Sequence, residues 1–300
     1  MKTKINTQHI ELGKVSWYRD YSFALEEANR LNKPVFILFQ EVPGCRTCVN
    51  FGIEALSYPL MVELIENEFI PLAIFNNKKG EDEVVLKLYN EPSWNNPVVR
   101  IVNSEGKDIV QRLSDSYSPL ALYDIMETAL VKLGKIISGF MKTVRDELIL
   151  KYGNIQEVIY ETPCFWSGET SMIQHEGVLT TEAGWVGYKE VVKVKFNTEL
   201  TSVEELNLYA IDQGFYLLES WENYRVDKAP QYYISNSNYK YLPLGEVQRA
   251  RINKAIPYKE NPNQYLSTKQ LNFFENLGNT NGIYPNNYQR PIEESWKYFK

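Results

Sequence analysis

The stretch Val35-Phe36-Ile37-Leu38-Phe39-Gln40-Glu41-Val42-Pro43-Gly44-Cys45-Arg46-Thr47-Cys48 decides how the first half of the chain is read. Its first five residues are an unbroken apolar run, all but Leu38 β-branched or aromatic, which predicts a buried strand. Pro43-Gly44 stops that strand, and the pattern beyond Cys45 predicts a helix through Leu56. On the N-terminal side, Trp17, Tyr21, Ala24, Leu25, Ala28 and Leu31 fall at helical spacing until Asn32-Lys33-Pro34 ends the helix. On the C-terminal side the sequence predicts a helix over 59–69, a strand over 70–75, a short helix over 82–89 and a strand over 97–102. Asn103-Ser104-Glu105-Gly106 reads as a hairpin turn with a return strand over 107–113. Ser118-Pro119 supplies the N-cap and first-turn proline of a helix to Leu133.

A strand, Cys-x-x-Cys, a helix, another strand and then a proline opening a hairpin: over residues 15–133 this order resembles the thioredoxin fold. The resemblance implies that Cys45 is an exposed nucleophile and Cys48 the resolving thiol, with Asn96-Pro97 matching the cis-proline that faces the pair. The motif departs from the family's usual Trp-Cys-Gly-Pro-Cys, and Arg46 favours a thiolate beside it. Metal binding is the competing use of such a pair. A closed zinc site needs four ligands, and the sequence offers Cys164, His9 and His175 beyond the two. An inert, locally packed pair is the remaining reading.

Gly134, Ile136, Ile137, Phe140, Val144, Leu148 and Leu150 form a second helical stripe that stops at Tyr152-Gly153-Asn154. The chain therefore reads as a domain over 1–134, a helical connection over 135–154 and a domain over 155–300. An extended run over 155–160 is followed by Thr162-Pro163-Cys164-Phe165-Trp166-Ser167-Gly168-Glu169, where a helix-like pattern begins. A cysteine there meets unpaired N–H groups and the positive end of the helix, which favour thiolate over thiol. Taken alone, Cys-Phe-Trp equally describes a buried cysteine in an aromatic core. Strands are expected over 178–185 and 190–196, and Ser202 with Glu205 makes a capping box.

Pro163-Cys164-Phe165-Trp166-Ser167-Gly168-Glu169, the run from Gly177 to Gly187, Lys189-Glu190-Val191-Val192, Asp227-Lys228-Ala229-Pro230-Gln231-Tyr232 and Leu242-Pro243-Leu244 occur in order over residues 156–255. Together they resemble the A-type peptide methionine sulfoxide reductases. The resemblance implies an α+β, ferredoxin-like domain. It makes Cys164 the nucleophile, Phe165 and Trp166 the wall that holds the substrate methyl, and Glu190 a buried acid that protonates the sulfoxide oxygen, assisted by Asp227 and Tyr232. These residue types suit the chemistry, because sulfoxide oxygen leaves poorly unless it is protonated as the sulfur is attacked. The bland alternatives are a solvated strand-edge charge for Glu190 and plain core for Tyr232. A loop that carries another site tyrosine in the family is shortened here, and Trp185 or Tyr188 is expected to stand in. His175 reads as an exposed helix-end residue.

The 300 residues are 44% apolar and 23% charged, with a net charge of −6 and no basic run, which disfavours nucleic acid as a partner. No apolar stretch reaches spanning length, so neither a membrane nor secretion is expected and the cytoplasm is the expected compartment. Three cysteines in such a chain point to reactive thiols rather than a disulfide framework. Residues 257–300 read as an aromatic tail with Leu271, Phe273, Phe274 and Leu277 as one patch, and they hold no resolving cysteine. The resulting expectation is an α/β domain fused to an α+β domain. Cys164 reduces a sulfoxide, either a small molecule or peptidyl methionine sulfoxide, and Cys45 and Cys48 regenerate it. No cofactor is called for, only an external thiol such as thioredoxin or dithiothreitol, with a thioredoxin reductase-type protein as electron donor. The rivals are a reductase of disulfides or other oxidised sulfur or selenium compounds, and a thioether-binding module without turnover.

Overall fold

The apolar run becomes strand β3 (Val35–Gln40), after a short pair β1 (Ile5–Asn6) and β2 (Ser16–Trp17) and helix α1 (Tyr21–Leu31). Every β3 side chain is buried, as the unbroken apolar pattern requires of a central strand. The computed structural model describes residues 5–6, 9–277 and 286–299, and its contacts divide the chain into two units, Met1–Ile137 and Ser138–Lys300.

In the first unit α2 (Arg46–Glu54) and α3 (Pro59–Glu68) follow β3, then β4 (Ile70–Phe75), α4 (Glu81–Leu88), β5 (Val98–Val102) and α5 (Pro119–Lys132). β3 pairs in parallel with β4, Val35 opposite Ile70, and antiparallel with β5, Val35 opposite Val102. Ala24 and Ala28 of α1 and Val85 and Leu86 of α4 close one core against Val35, Ile37 and Phe39. Ser118 accepts from the Ala121 N–H, capping α5 as its sequence indicates. Three expectations are corrected. Trp17 lies in β2, not in α1, whose N-cap is Asp20 accepting from the Phe23 N–H. The return segment after Gly106 meets the sheet only through the isolated bridges Val102–Asp108 and Val99–Leu113. Ile136 precedes the next helix and is 96% exposed, the chain having turned at Gly134 with φ +72°.

The second unit begins with α6 (Gly139–Tyr152) and continues through β6 (Ile155–Glu161), α7 (Phe165–Met172), β7 (Val178–Val186), β8 (Lys189–Asn197), α8 (Val203–Asp212), β9 (Tyr216–Leu217) and β10 (Tyr224–Val226). The sheet is antiparallel in the order β10-β7-β8-β6-β9. Val192, Val194 and Phe196 of β8 share a core with Phe165 and Met172 of α7 and Leu206 and Ala210 of α8. The Ser202–Glu205 capping box opens α8 as expected. The C-terminal part adds α9 (Tyr232–Ser235), α10 (Glu246–Ala255), α11 (Thr268–Glu275) and α12 (Ile292–Ser295). Leu271, Phe273 and Phe274 pack against a core of Ile234, Leu242, Leu244, Ile252, Leu266, Tyr288 and Phe299. No single helix among the described residues is long and apolar enough to cross a membrane.

Candidate active sites

In the first unit β3 delivers the chain to Cys45, the N-cap of α2, and one helical turn then buries Cys48. The sulfurs are 3.2 Å apart, a dithiol and not a disulfide. Partial burial acts to raise the Cys45 thiol. The N–H groups and side chains of Cys48 and Thr47 outweigh it and hold the thiol below its ordinary value. Burial, reinforced by the Cys45 hydrogen bond and charge, pushes Cys48 up to about 12. The accessible sulfur is thus the more acidic of the two, and the inner one is held as a thiol. Asn96, next to the cis peptide it makes with Pro97, accepts a hydrogen bond from the Cys48 thiol at 2.6 Å.

The loop before the pair is fixed by groups with no sequence signature. Buried Glu11 accepts from the Gly44 N–H at 2.7 Å, and buried Gln40 donates to the carbonyls of Glu11 and Cys48 at 2.8 and 3.2 Å. Gly44 has no room for a side chain: a Cβ there would lie 2.3 Å from the Glu41 carbonyl and 2.7 Å from the Cys48 Cβ.

In the second unit β6 ends at Glu161, and Cys164 is the N-cap of α7, partly exposed. The period-two pattern of β8 puts Glu190 on the same face as Val192, Val194 and Phe196, the face that α7 covers. The Glu190 carboxylate thereby accepts from the Phe165 N–H at 3.0 Å, beside the cysteine. Its side chain is half-buried rather than buried. Phe165 is buried, with Trp166 and Trp185 edge-on to it at 5.7 and 5.2 Å, and Tyr232 stacks on Trp166 at 4.0 Å. Asp227 accepts from the Trp185 indole N–H at 2.8 Å and the Ala229 N–H at 2.9 Å. Burial works to raise its carboxyl, but those donors hold it below its ordinary value. Asp227 therefore fixes Trp185.

Tyr188 departs from its expected place. It stands 97% exposed at the β7–β8 turn. His175 is half-buried, its ring 5.0 Å from that of Tyr209. Tyr233 had no sequence signal: burial, then the charge of Cys164, raises its phenol above the ordinary value, which places it near that cysteine. Glu169 closes the motif that begins at Pro163. It is fully buried, accepting from the N–H groups of Ala183 at 2.9 Å and Gln231 at 3.1 Å, with the Asn253 amide at 3.4 Å. One carboxyl thus ties α7 to β7, to the segment before α9 and to α10. Burial pushes it up to about 8 despite those donors.

A family model described as thioredoxin-like matches residues 16–104. This part of the chain is a thioredoxin-like domain. Its Cys45 and Cys48 stand at the start of the helix that follows its central strand. Among solved structures, one titled DsbH Oxidoreductase is 18% identical, with a TM-score of 0.35 over 42% of this chain and 92% of that one. No curated protein matches the chain.

Proposed function

We propose that the chain is a thiol-dependent reductase of methionine sulfoxide or a related sulfoxide, in which Cys164 attacks the substrate and the Cys45/Cys48 dithiol regenerates it. The reading is carried by one arrangement: Glu190 accepts from the Phe165 N–H, the first of α7 and the one that directly follows Cys164, and Phe165 packs edge-on against Trp166 and Trp185. The second unit's β-α-β-β-α-β order through β9 also fits the ferredoxin-like form that the sequence resemblance implies. Cys164 thiolate attacks the substrate sulfur while Glu190 delivers a proton to its oxygen. The substrate leaves as the thioether and the oxygen ends on Cys164 as a sulfenic acid. Condensation with the Cys45 thiol releases water and forms a Cys164–Cys45 disulfide. Cys48 then attacks Cys45, freeing Cys164 and closing the Cys45–Cys48 disulfide, which an external dithiol reduces.

Turnover of both enantiomers of methyl p-tolyl sulfoxide and of a methionine-sulfoxide peptide, with dithiothreitol as reductant, tests this. One enantiomer should be reduced by the full chain and none by Cys164→Ser. Equal rates from the two proteins would end the assignment. The second reading, a thiol–disulfide oxidoreductase working through Cys45 and Cys48 alone, rests on the split between an exposed, acidified thiol and a buried, protonated one. It predicts that reduction of small disulfides survives Cys164→Ser and is lost in Cys45→Ser.

A further inference from the structure

The Cys45/Cys48 dithiol has a carboxylate beside it. Glu41, half-buried just ahead of the Val42-Pro43 break, contributes an oxygen to a group with both sulfurs in which all three atoms lie within 4.8 Å of one another. No other such group of three or more His, Cys, Asp or Glu side chains occurs among the described residues. The Asn96 carbonyl oxygen, 2.6 Å from the Cys48 sulfur, adds a neutral donor on the inner side. Two thiols, a carboxylate and an amide oxygen are a donor set for a borderline-soft divalent cation rather than for magnesium or calcium.

We propose that the reduced pair, together with Glu41, is a binding site for one thiophilic divalent cation such as zinc. Zinc–sulfur and zinc–oxygen bonds of about 2.3 and 2.0 Å in a tetrahedral shell require sulfurs about 3.8 Å apart, each about 3.5 Å from the oxygen. The sulfurs stand at 3.2 Å, so they must separate by roughly half an ångström. A small rotation of the exposed Cys45 side chain supplies that movement, and the Glu41 oxygen, within 4.8 Å of both sulfurs, closes on them by a side-chain adjustment of similar size. Binding displaces the thiol protons, and the Asn96 oxygen released from the Cys48 thiol, or a water, completes the shell. The disulfide form has lost both thiolates, so the site exists only in the reduced state, and a bound cation withholds both sulfurs from exchange. None of this depends on the sulfoxide reading or on Cys164.

The test uses the full chain, reduced, freed of reductant and kept under argon. Cadmium is titrated while the thiolate-to-metal absorption in the ultraviolet is followed, and zinc is titrated against a chromophoric chelator. One cation per chain with two thiolates is expected, unchanged in Cys164→Ser, absent in Cys45→Ser and in the disulfide form, and at least tenfold weaker in Glu41→Gln with unaltered circular dichroism. Equal affinity in Glu41→Gln, binding that persists in Cys45→Ser, or no saturation below about millimolar cation would overturn the site. Because Cys164→Ser is silent here and decisive for sulfoxide turnover, failure of one proposal is separable from failure of the other.

Discussion

Glu169→Gln isolates the energetic consequence of burying a carboxyl under the candidate sulfoxide site. In the folded chain this carboxyl is raised from 4.5 to about 8, chiefly by burial, so it folds neutral below that range and resists ionising within it. The folded value lies above the unfolded one. Its stabilisation is therefore complete below pH 4.5 and is lost as pH rises through about 8. The loss is about 1.4 kcal/mol per pH unit across that window, reaching about 3 kcal/mol by pH 7. Glutamine keeps an oxygen for the Ala183 and Gln231 N–H groups but sets its own N–H₂ toward the Asn253 amide, so the variant starts less stable at pH 5. What identifies the effect is the slope. Urea unfolding from pH 5 to pH 8 should show wild type losing roughly 3–4 kcal/mol more than Glu169→Gln. Asp146 and Glu147, whose carboxyls burial also raises, remain in both proteins and cancel in the difference. Parallel pH profiles for the two proteins would refute the reasoning and mean that the three donors hold Glu169 ionised.

Iodoacetamide should label Cys45 well before Cys48 at pH 7, because Cys45 is exposed and acidified while Cys48 is buried and pushed up to about 12; peptide mapping that finds Cys48 modified first would contradict this. Glu91, whose side chain is fully buried against Arg100 at 2.8 Å and Arg112 at 2.9 Å, braces the segment that carries Asn96 and Pro97. Glu91→Ala leaves Arg100 with Asp108 as its remaining carboxylate and removes the Arg112 ion pair, and is expected to cost about 3 kcal/mol in chemical denaturation. Glu190→Gln keeps the bond from the Phe165 N–H but removes the proposed proton donor, so sulfoxide reduction should fall by about 10²-fold or more while the fold persists. Undiminished turnover would exclude Glu190 as the acid.

Much of the fold was legible where burial and periodicity agree. β3 is apolar from Val35 to Phe39 because both faces are covered, and β8 alternates because α7 and α8 cover one of its faces. Trp17 misled because it falls in phase with α1, yet Asp20 caps the helix after it. Ile136 continued a stripe that Gly134 interrupts in three dimensions. The places of Cys45 and Cys164 were legible as strand-to-helix junctions. Glu11 was not, since its partner Gly44 lies 33 residues away in sequence and no local pattern links them. Glu169 did carry a signal: with Phe165 and Met172 it occupies one face of α7, and a carboxyl on an apolar stripe marks a buried anchor.

The pairing of β6 with β8 works as a ruler for the second unit's site. The Thr162 N–H donates to the Glu190 carbonyl at 2.9 Å, so strand register sets which β8 side chain faces the start of α7. One residue inserted between Glu190 and Phe196 would turn either Glu190 or the core residues to the opposite face. The Gly187-Tyr188 turn lies outside that constraint, with Tyr188 in solvent and no atom within 4 Å of a Cβ added at Gly187. Chain length can drift there, and the tip can accept a tag or a longer loop, without moving Glu190 from the Phe165 N–H. The strand beside it tolerates no change in length.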